Sequence, residues 1–291
     1  MTDAVEPRAG IGLRRPMVAA ALLAAAGVGA MVVWRGADGA ADRAEMARLT
    51  ALQPSDPPVF EPAMVADLPE PARRFFEYAI LPGTPLRPVA QIEMAGRFSL
   101  GGFDGATDYT MVATQVLAAP GGFLWAMKAR HGHVTLSGSD SGAWTRFWLG
   151  GLLPVARRGG DADHRRSAFG RYVAEAVFWT PAAVLPGPGV AWDAVDADVA
   201  RVTMTHGDQS QAVDVTIDAT GRPIRVSFER WSDANVDGTY RLQPFGGRLS
   251  DHREVDGFRV PMRVEAGNGF GTPDYFPFFD VSVTSIHWPD R

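Results

Sequence analysis

The chain has 291 residues, 46% of them hydrophobic and 21% charged, with a formal net charge of −5. That balance suits one or two globular domains and excludes a basic, nucleic-acid-binding chain. The absence of cysteine excludes disulfides, thiolate metal sites, a cysteine nucleophile and a lipid-modified cysteine.

Near the N-terminus, Pro16 to Trp34 carries no charge over 19 residues, seven of them alanine. As a helix rising ~1.5 Å per residue it spans roughly 28 Å, close to the ~30 Å hydrocarbon core of a bilayer. Arg14 and Arg15 flank one end, and Trp34 and Arg35 mark the other, where an amphipathic ring and a charge suit the interface. The expected layout is a short cytoplasmic tail over 1–15, a transmembrane anchor over 16–34, a tether over 35–66 and an extracytoplasmic domain over 67–291. The location implied is a bacterial inner membrane, crossed once. A cleaved signal peptide is the competing reading, with small residues for cleavage in “ADGAA” near Ala41.

Asp38 to Leu52 is alanine-rich and able to extend the helix, and “QPSDPPVFEP” then breaks it. “DLPEPARRFFEYAILPG” reads as a short helix capped by Asp67 and stopped by Pro82-Gly83. From Val89 the period changes to two. “VAQIEMAGRFSL”, “TDYTMVATQV” and “GGFLWAMKAR” alternate apolar and polar residues, and “HVTLSG” and “GAWTRFW” are shorter candidates. Further strands run from “VAWDAV” to “FFDVSVTSIHW”, with “DATGRP” and “EVDGFR” as hairpin turns. The expected fold is mainly β: a curved, partly closed antiparallel sheet with one or two covering helices.

Asp161 to Trp179 interrupts the strands as a long helix ending before Pro181. Tyr172, Ala176 and Trp179 share one face, and Arg171 and Glu175 are i,i+4 partners. Two readings stand. The pair is a surface ion pair on a helix that covers the sheet, or it lies inside a cavity with Arg171 aimed at a ligand head group.

The segments “LPEPARRFFEYAILPGTP”, “GLLPVARR”, “RYVAEAVFWTPAAVLPGPGVAW” and “DGFRVPMRVEAG” together resemble a bacterial family of uncharacterised proteins, commonly with an N-terminal membrane segment. Its pattern is an Arg-aromatic-x-x-Glu helix, a Pro-x-Ala-Leu-Leu-Pro-Gly-like loop and a tryptophan. Here these are Arg171, Tyr172 and Glu175, then Pro-Ala-Ala-Val-Leu-Pro-Gly, a mild departure, then Trp192. The resemblance covers about residues 68–266 and carries no activity with it. More remotely, the architecture is similar to the periplasmic lipoprotein-carrier fold, which holds acyl chains; fold alone does not imply function.

No motif specifies a reaction. “HGH” at His131–His133 reads as a solvated turn, and “SDHRE” at Ser250–Glu254 as an outer-face charge ladder. “SGSDSG” has Asp140 where a nucleophile elbow needs serine, and “GNGFG” lacks the helix and lysine of a phosphate loop. No metal and no cofactor are expected. The aromatic surplus suggests a large core or an apolar pocket for an acyl or isoprenoid chain. The first functional expectation is therefore non-catalytic binding of an apolar or amphipathic, lipid-like ligand, with Arg171, Glu175, Trp179, Trp192 and Trp125 as contact residues. The alternatives are a hydrolase using Arg171 and Glu175, and a protein-interaction module of the cell envelope.

Overall fold

The computed structural model describes residues 14–102 and 105–290. Most of the tail read over 1–15 lies outside them. Thirteen strands form one antiparallel sheet: β1 (Ala90–Leu100), β2 (Thr107–Ala118), β3 (Gly122–His131), β4 (Val134–Ser141), β5 (Trp144–Leu149), β6 (Leu153–Gly159), β7 (Val190–Asp196), β8 (Val199–His206), β9 (Gln209–Ile217), β10 (Pro223–Ser232), β11 (Arg241–Val255), β12 (Phe258–Asn268) and β13 (Phe276–His287). Spatial order is β6-β5-β4-β3-β2-β1-β13-β12-β11-β10-β9-β8-β7. Every neighbouring pair is consecutive in sequence except β1 and β13, whose pairing joins two meanders into one sheet. The turn at Asp256-Gly257, with φ of 50° and 83°, is the two-residue hairpin expected from “EVDGFR”.

The sheet is open but strongly curved. Helix α3 (Ala162–Trp179) contacts β6 at one edge and β9 near the other, as well as β2, β3, β10 and β12. Laid flat, β6 and β9 would stand ~48 Å apart at ~4.8 Å per strand, whereas the helix is only ~27 Å long. Register shifts at Glu93/Met94, Phe147/Trp148, Ala194/Asp196 and Ala266/Asn268 supply the local bends.

α3 starts where Asp161 accepts a hydrogen bond from the His164 backbone N–H at 2.7 Å, and stops at Thr180 before Pro181. The face carrying Phe169, Tyr172, Val173, Ala176, Val177 and Trp179 is buried against the inner face of the sheet. α2 (Glu70–Ala79) buries Phe75 and Phe76 beside it. Its N-cap is Pro69, not Asp67 as the sequence suggested, because Pro71 sits in the first turn and the chain enters in an extended conformation.

The largest departure concerns residues 35–66. α1 runs unbroken from Arg14 to Thr50, through the apolar run Pro16–Trp34 and into the stretch read as a tether. Its C-terminal half lies on the outer face of the sheet. There Leu49 is fully buried in a second small core with Val89, Val116, Ala118 and Leu124. Gln53 then locks the chain to the domain, donating to the Val89 and Pro289 carbonyls at 3.2 and 2.9 Å and accepting from the Val89 N–H at 3.0 Å. Alternation assigns the two cores: Phe123, Trp125 and Met127 of β3 point inward, and Leu124 points to α1.

Candidate functional site

Between α3 and the inner face lies a cavity of about 230 Å³, with walls that include Phe98, Trp125, Phe147, Trp179, Phe228 and Phe245. Its polar groups are Asp140 and Thr145 from β4 and β5, Arg171 and Glu175 from α3, and Arg230 from β10. A larger cleft of about 510 Å³ separates α1 from the outer face, but charged groups such as Arg35, Asp38, Asp42 and Arg146 line it, and Asp38 and Asp42 are engaged there in protein contacts. An apolar enclosure with a few convergent polar groups is the usual form of a small-molecule site.

The cavity's ionic chemistry is built around Arg171. Its Nη1 donates to Asp140 Oδ2 at 2.6 Å and its Nε to Glu175 Oε1 at 2.8 Å, with side-chain exposures of 16%, 19% and 15% for the arginine, Asp140 and Glu175. The remaining oxygens are also taken: Thr145 Oγ1 donates to Asp140 Oδ1 at 2.5 Å, and Gln115 Nε2 to Glu175 Oε2 at 2.6 Å. The guanidinium lies over Phe123 and Trp125, 4.6 and 5.2 Å from the ring centroids. Burial works against its charge, yet Glu175 and Asp140 outweigh burial and hold its pKa above the ordinary arginine value. This Arg171 cluster is complete without a ligand.

Arg230 is different. Its Nε is sealed from solvent with no hydrogen-bond partner among the described residues. Asp140 and Glu175 reach it only through the field, without a hydrogen bond, while burial and the Arg171 charge push its pKa down to about 10. It is cationic at neutral pH and stacks over Phe245 at 4.9 Å. Trp125 Nε1, in the same cavity wall, is a second buried donor with no acceptor among the described residues.

Of the residues singled out from the sequence, Arg171, Glu175, Trp179 and Trp125 meet at this cavity. Trp192 does not. It is buried elsewhere, stacked on Phe75 and edge-on to Phe76 of α2, and donates to the Val184 carbonyl at 2.8 Å. Trp179 serves mainly as core; it is 1% exposed and donates to the Pro261 carbonyl at 3.2 Å. Asp140, Gln115 and Arg230 were missed. For Arg230 the signal was present: Val226, Phe228 and Arg230 alternate onto one face of β10, so a charge stood on the apolar side of a strand.

The other candidates separate. His131 Nδ1 lies 2.8 Å from the Asp108 carbonyl and Gly132 makes the turn, while His133 is exposed. No group of three or more His, Cys, Asp or Glu is arranged to hold a metal among the described residues. In “SDHRE”, Asp251, Arg253 and Glu254 are exposed, but His252 turns against Tyr78 at 6.0 Å between ring centroids. Burial, with the Arg222 charge, lowers the His252 pKa to about 4.

The model of a family described as “Family of unknown function (DUF6544)” matches residues 58–281, well over half of the chain. No curated protein matches. Several solved structures are similar, three of them as follows. A putative outer membrane lipoprotein-sorting protein domain from Vibrio parahaemolyticus is 10% identical with a TM-score of 0.35, covering 69% of this chain and 85% of that one. A LolA superfamily protein from Nitrosomonas europaea is 14% identical with a TM-score of 0.33, covering 70% and 87%. A DUF1329 family protein from Desulfovibrio piger is 10% identical with a TM-score of 0.36, covering 69% and 85%.

Proposed function

We propose that this chain, which belongs to the DUF6544 family of unknown function, is a membrane-anchored envelope protein that holds an apolar or amphipathic ligand under α3. The observation that carries this reading is the aromatic-walled cavity itself, which keeps space open inside an otherwise close-packed domain. Apolar area taken from water drives entry at roughly 25 cal/mol per Å², and the large rings supply that area with little flexibility to lose.

α1 fits the anchor role. Its residues from Pro16 form a helix long and apolar enough to cross a bilayer, and no residue of its most apolar 18-residue stretch is buried in the domain. The helix continues into the docked segment, so the cavity would be held at a fixed height above the inner membrane on its extracytoplasmic side. A hydrolase reading has less support, since both oxygens of Glu175 are already engaged in hydrogen bonds within the protein, with Arg171 and Gln115.

Native mass spectrometry of the full chain, extracted from membranes, tests the proposal. A co-purifying hydrocarbon-bearing molecule of one or two related masses, released when α3 is loosened by Trp179→Ala, is expected. A chain that emerges empty and takes up no added single-chain amphiphile would sink the ligand reading. Retention in the membrane fraction after alkaline carbonate washing tests the anchor, which a mature N-terminus near residue 40 would contradict.

A further inference from the structure

We infer that the ligand is a single-chain monocarboxylate and that Arg230 binds its head group. This rests on the reading of the cavity as a ligand site. The cavity's two unmatched polar atoms, Arg230 Nε and Trp125 Nε1, are both donors. The acceptors nearby are spoken for: Asp140 by Arg171 and Thr145, Glu175 by Arg171 and Gln115. What these two atoms lack is an acceptor, and a part-buried guanidinium with a sealed Nε is well matched by a bidentate oxyanion.

Charge selects among oxyanions. Asp140 and Glu175 balance Arg171 and Arg230, so a bound carboxylate leaves one net negative charge and a phosphate monoester dianion leaves about two, at the higher desolvation cost. Volume selects the tail. At about 230 Å³ the cavity falls below the ~300 Å³ at which typical small-molecule pockets begin. It has room for one hydrocarbon chain of medium length, whereas a diacyl lipid would leave most of its apolar area outside.

Equilibrium dialysis of the full chain in amphipol, with amphipol alone as blank, tests this using decanoic acid, methyl decanoate and decyl phosphate at neutral pH. The acid is expected to bind about tenfold more tightly than its ester, the scale of one charge-assisted bidentate contact. Arg230→Gln should bring the acid down to the ester's affinity and leave the ester unchanged, and Arg230→Lys should keep part of the preference. Equal binding of acid and ester by the unsubstituted chain, or an acid preference that survives Arg230→Gln, overturns the carboxylate site while leaving the apolar cavity standing. Tighter binding of decyl phosphate than of decanoate overturns the choice of carboxylate. Failure of all three probes to bind overturns both this inference and the cavity reading.

The geometry also points to a contact between the β5–β6 hairpin and the bilayer, on the premise that α1 spans it. Leu149, Gly150, Leu152 and Leu153 of the hairpin flank Ala24, Gly27, Val28 and Met31 of α1 across a shallow apolar groove. Leu152 and Leu153 are 41% and 61% exposed. Trp34, the residue at the interface end of the span, packs edge-on against Trp148 at 5.5 Å and under Arg157. Ala24 to Met31 lie roughly 5–15 Å beyond Trp34 along the helix, at ~1.5 Å per residue. A hairpin beside them reaches acyl-chain depth, and lipid tails are the occupant of the groove.

Because the chain has no cysteine, a single environment-sensitive label can be placed at Leu153→Cys, Ala24→Cys or Asp208→Cys of the full chain in lipid nanodiscs. Labels at 24 and 153 should be quenched by acyl-chain nitroxides and the label at 208, in the β8–β9 turn, should not. Quenching at 24 without quenching at 153 overturns the hairpin contact alone. Quenching at neither overturns the contact together with the membrane span.

Discussion

On the outer face of the sheet one carboxylate, Asp38, collects Arg157, the Trp148 indole at 2.9 Å and Arg146 at 3.4 Å. On the inner face one guanidinium, Arg171, collects two carboxylates, and a second guanidinium, Arg230, is left over. Cations exceed acceptors around Asp38 too, but Arg146 and Arg157 keep 25% and 29% of their side chains in solvent, where water completes their hydrogen bonds. The Arg230 Nε has no such outlet. The same surplus of donors is inexpensive at an edge and costly inside a cavity, which separates a structural clamp from the site proposed to take a ligand.

Four substitutions test that contrast. Trp179→Ala should have the largest effect, destabilising the domain by ~3–5 kcal/mol in denaturant unfolding, because a fully buried ring and its hydrogen bond leave a cavity that the sheet cannot collapse into. A loss below ~1 kcal/mol would mean that α3 is loosely held on the inner face.

Arg171→Ala comes next, at about 3 kcal/mol. It leaves Asp140 and Glu175 together with only the unbonded Arg230 as counter-charge, the costly way to break a part-buried pair. A near-neutral result would show the inner cluster to be as solvated as the outer one.

Asp38→Asn should cost ~1–2 kcal/mol and act locally, through faster hydrogen exchange over residues 38–50 with the inner core unchanged. Burial works to raise the Asp38 pKa, but the hydrogen bonds from Arg157 and Trp148 and the charges of Arg157 and Arg146 outweigh it, so the value lies below the ordinary 3.8. The stability it contributes is therefore fully present above pH 3.8 and is lost as pH falls through the lower folded value. The Asn variant should lack this acid step in α1 docking.

The smallest effect is expected from Arg230→Gln, within ~0.5 kcal/mol of neutral or slightly stabilising, since no hydrogen-bond partner is lost and a part-buried charge is removed. A loss as large as that of Arg171→Ala would show that Arg230 has a partner within the protein, and the contrast between the two clusters would collapse.

Local rules on the chain specified much of this. Asp161, the apolar face through Trp179 and Pro181 define α3 from start to stop, and period-two alternation with Gly-bearing turns defines most strands and the antiparallel class. β6 escaped because “LPVARRG” is a short edge strand whose apolar positions stay exposed. The length of the apolar run alone marks Pro16–Trp34 as a candidate span. The tertiary structure decided the rest. Asp38 to Thr50 looks like a solvated helix until the outer face offers Arg157, Trp148 and Leu124 as partners. Arg171 looks like half of a surface pair until β4 brings Asp140 to its other side. Strand parity states which way Arg230 points, but not what it will face. That depends on the β1–β13 pairing and on the curvature that folds β3, β4 and β10 around one helix. Those contacts join residues far apart in sequence, so no local pattern encodes which charges meet and which one is left without a partner.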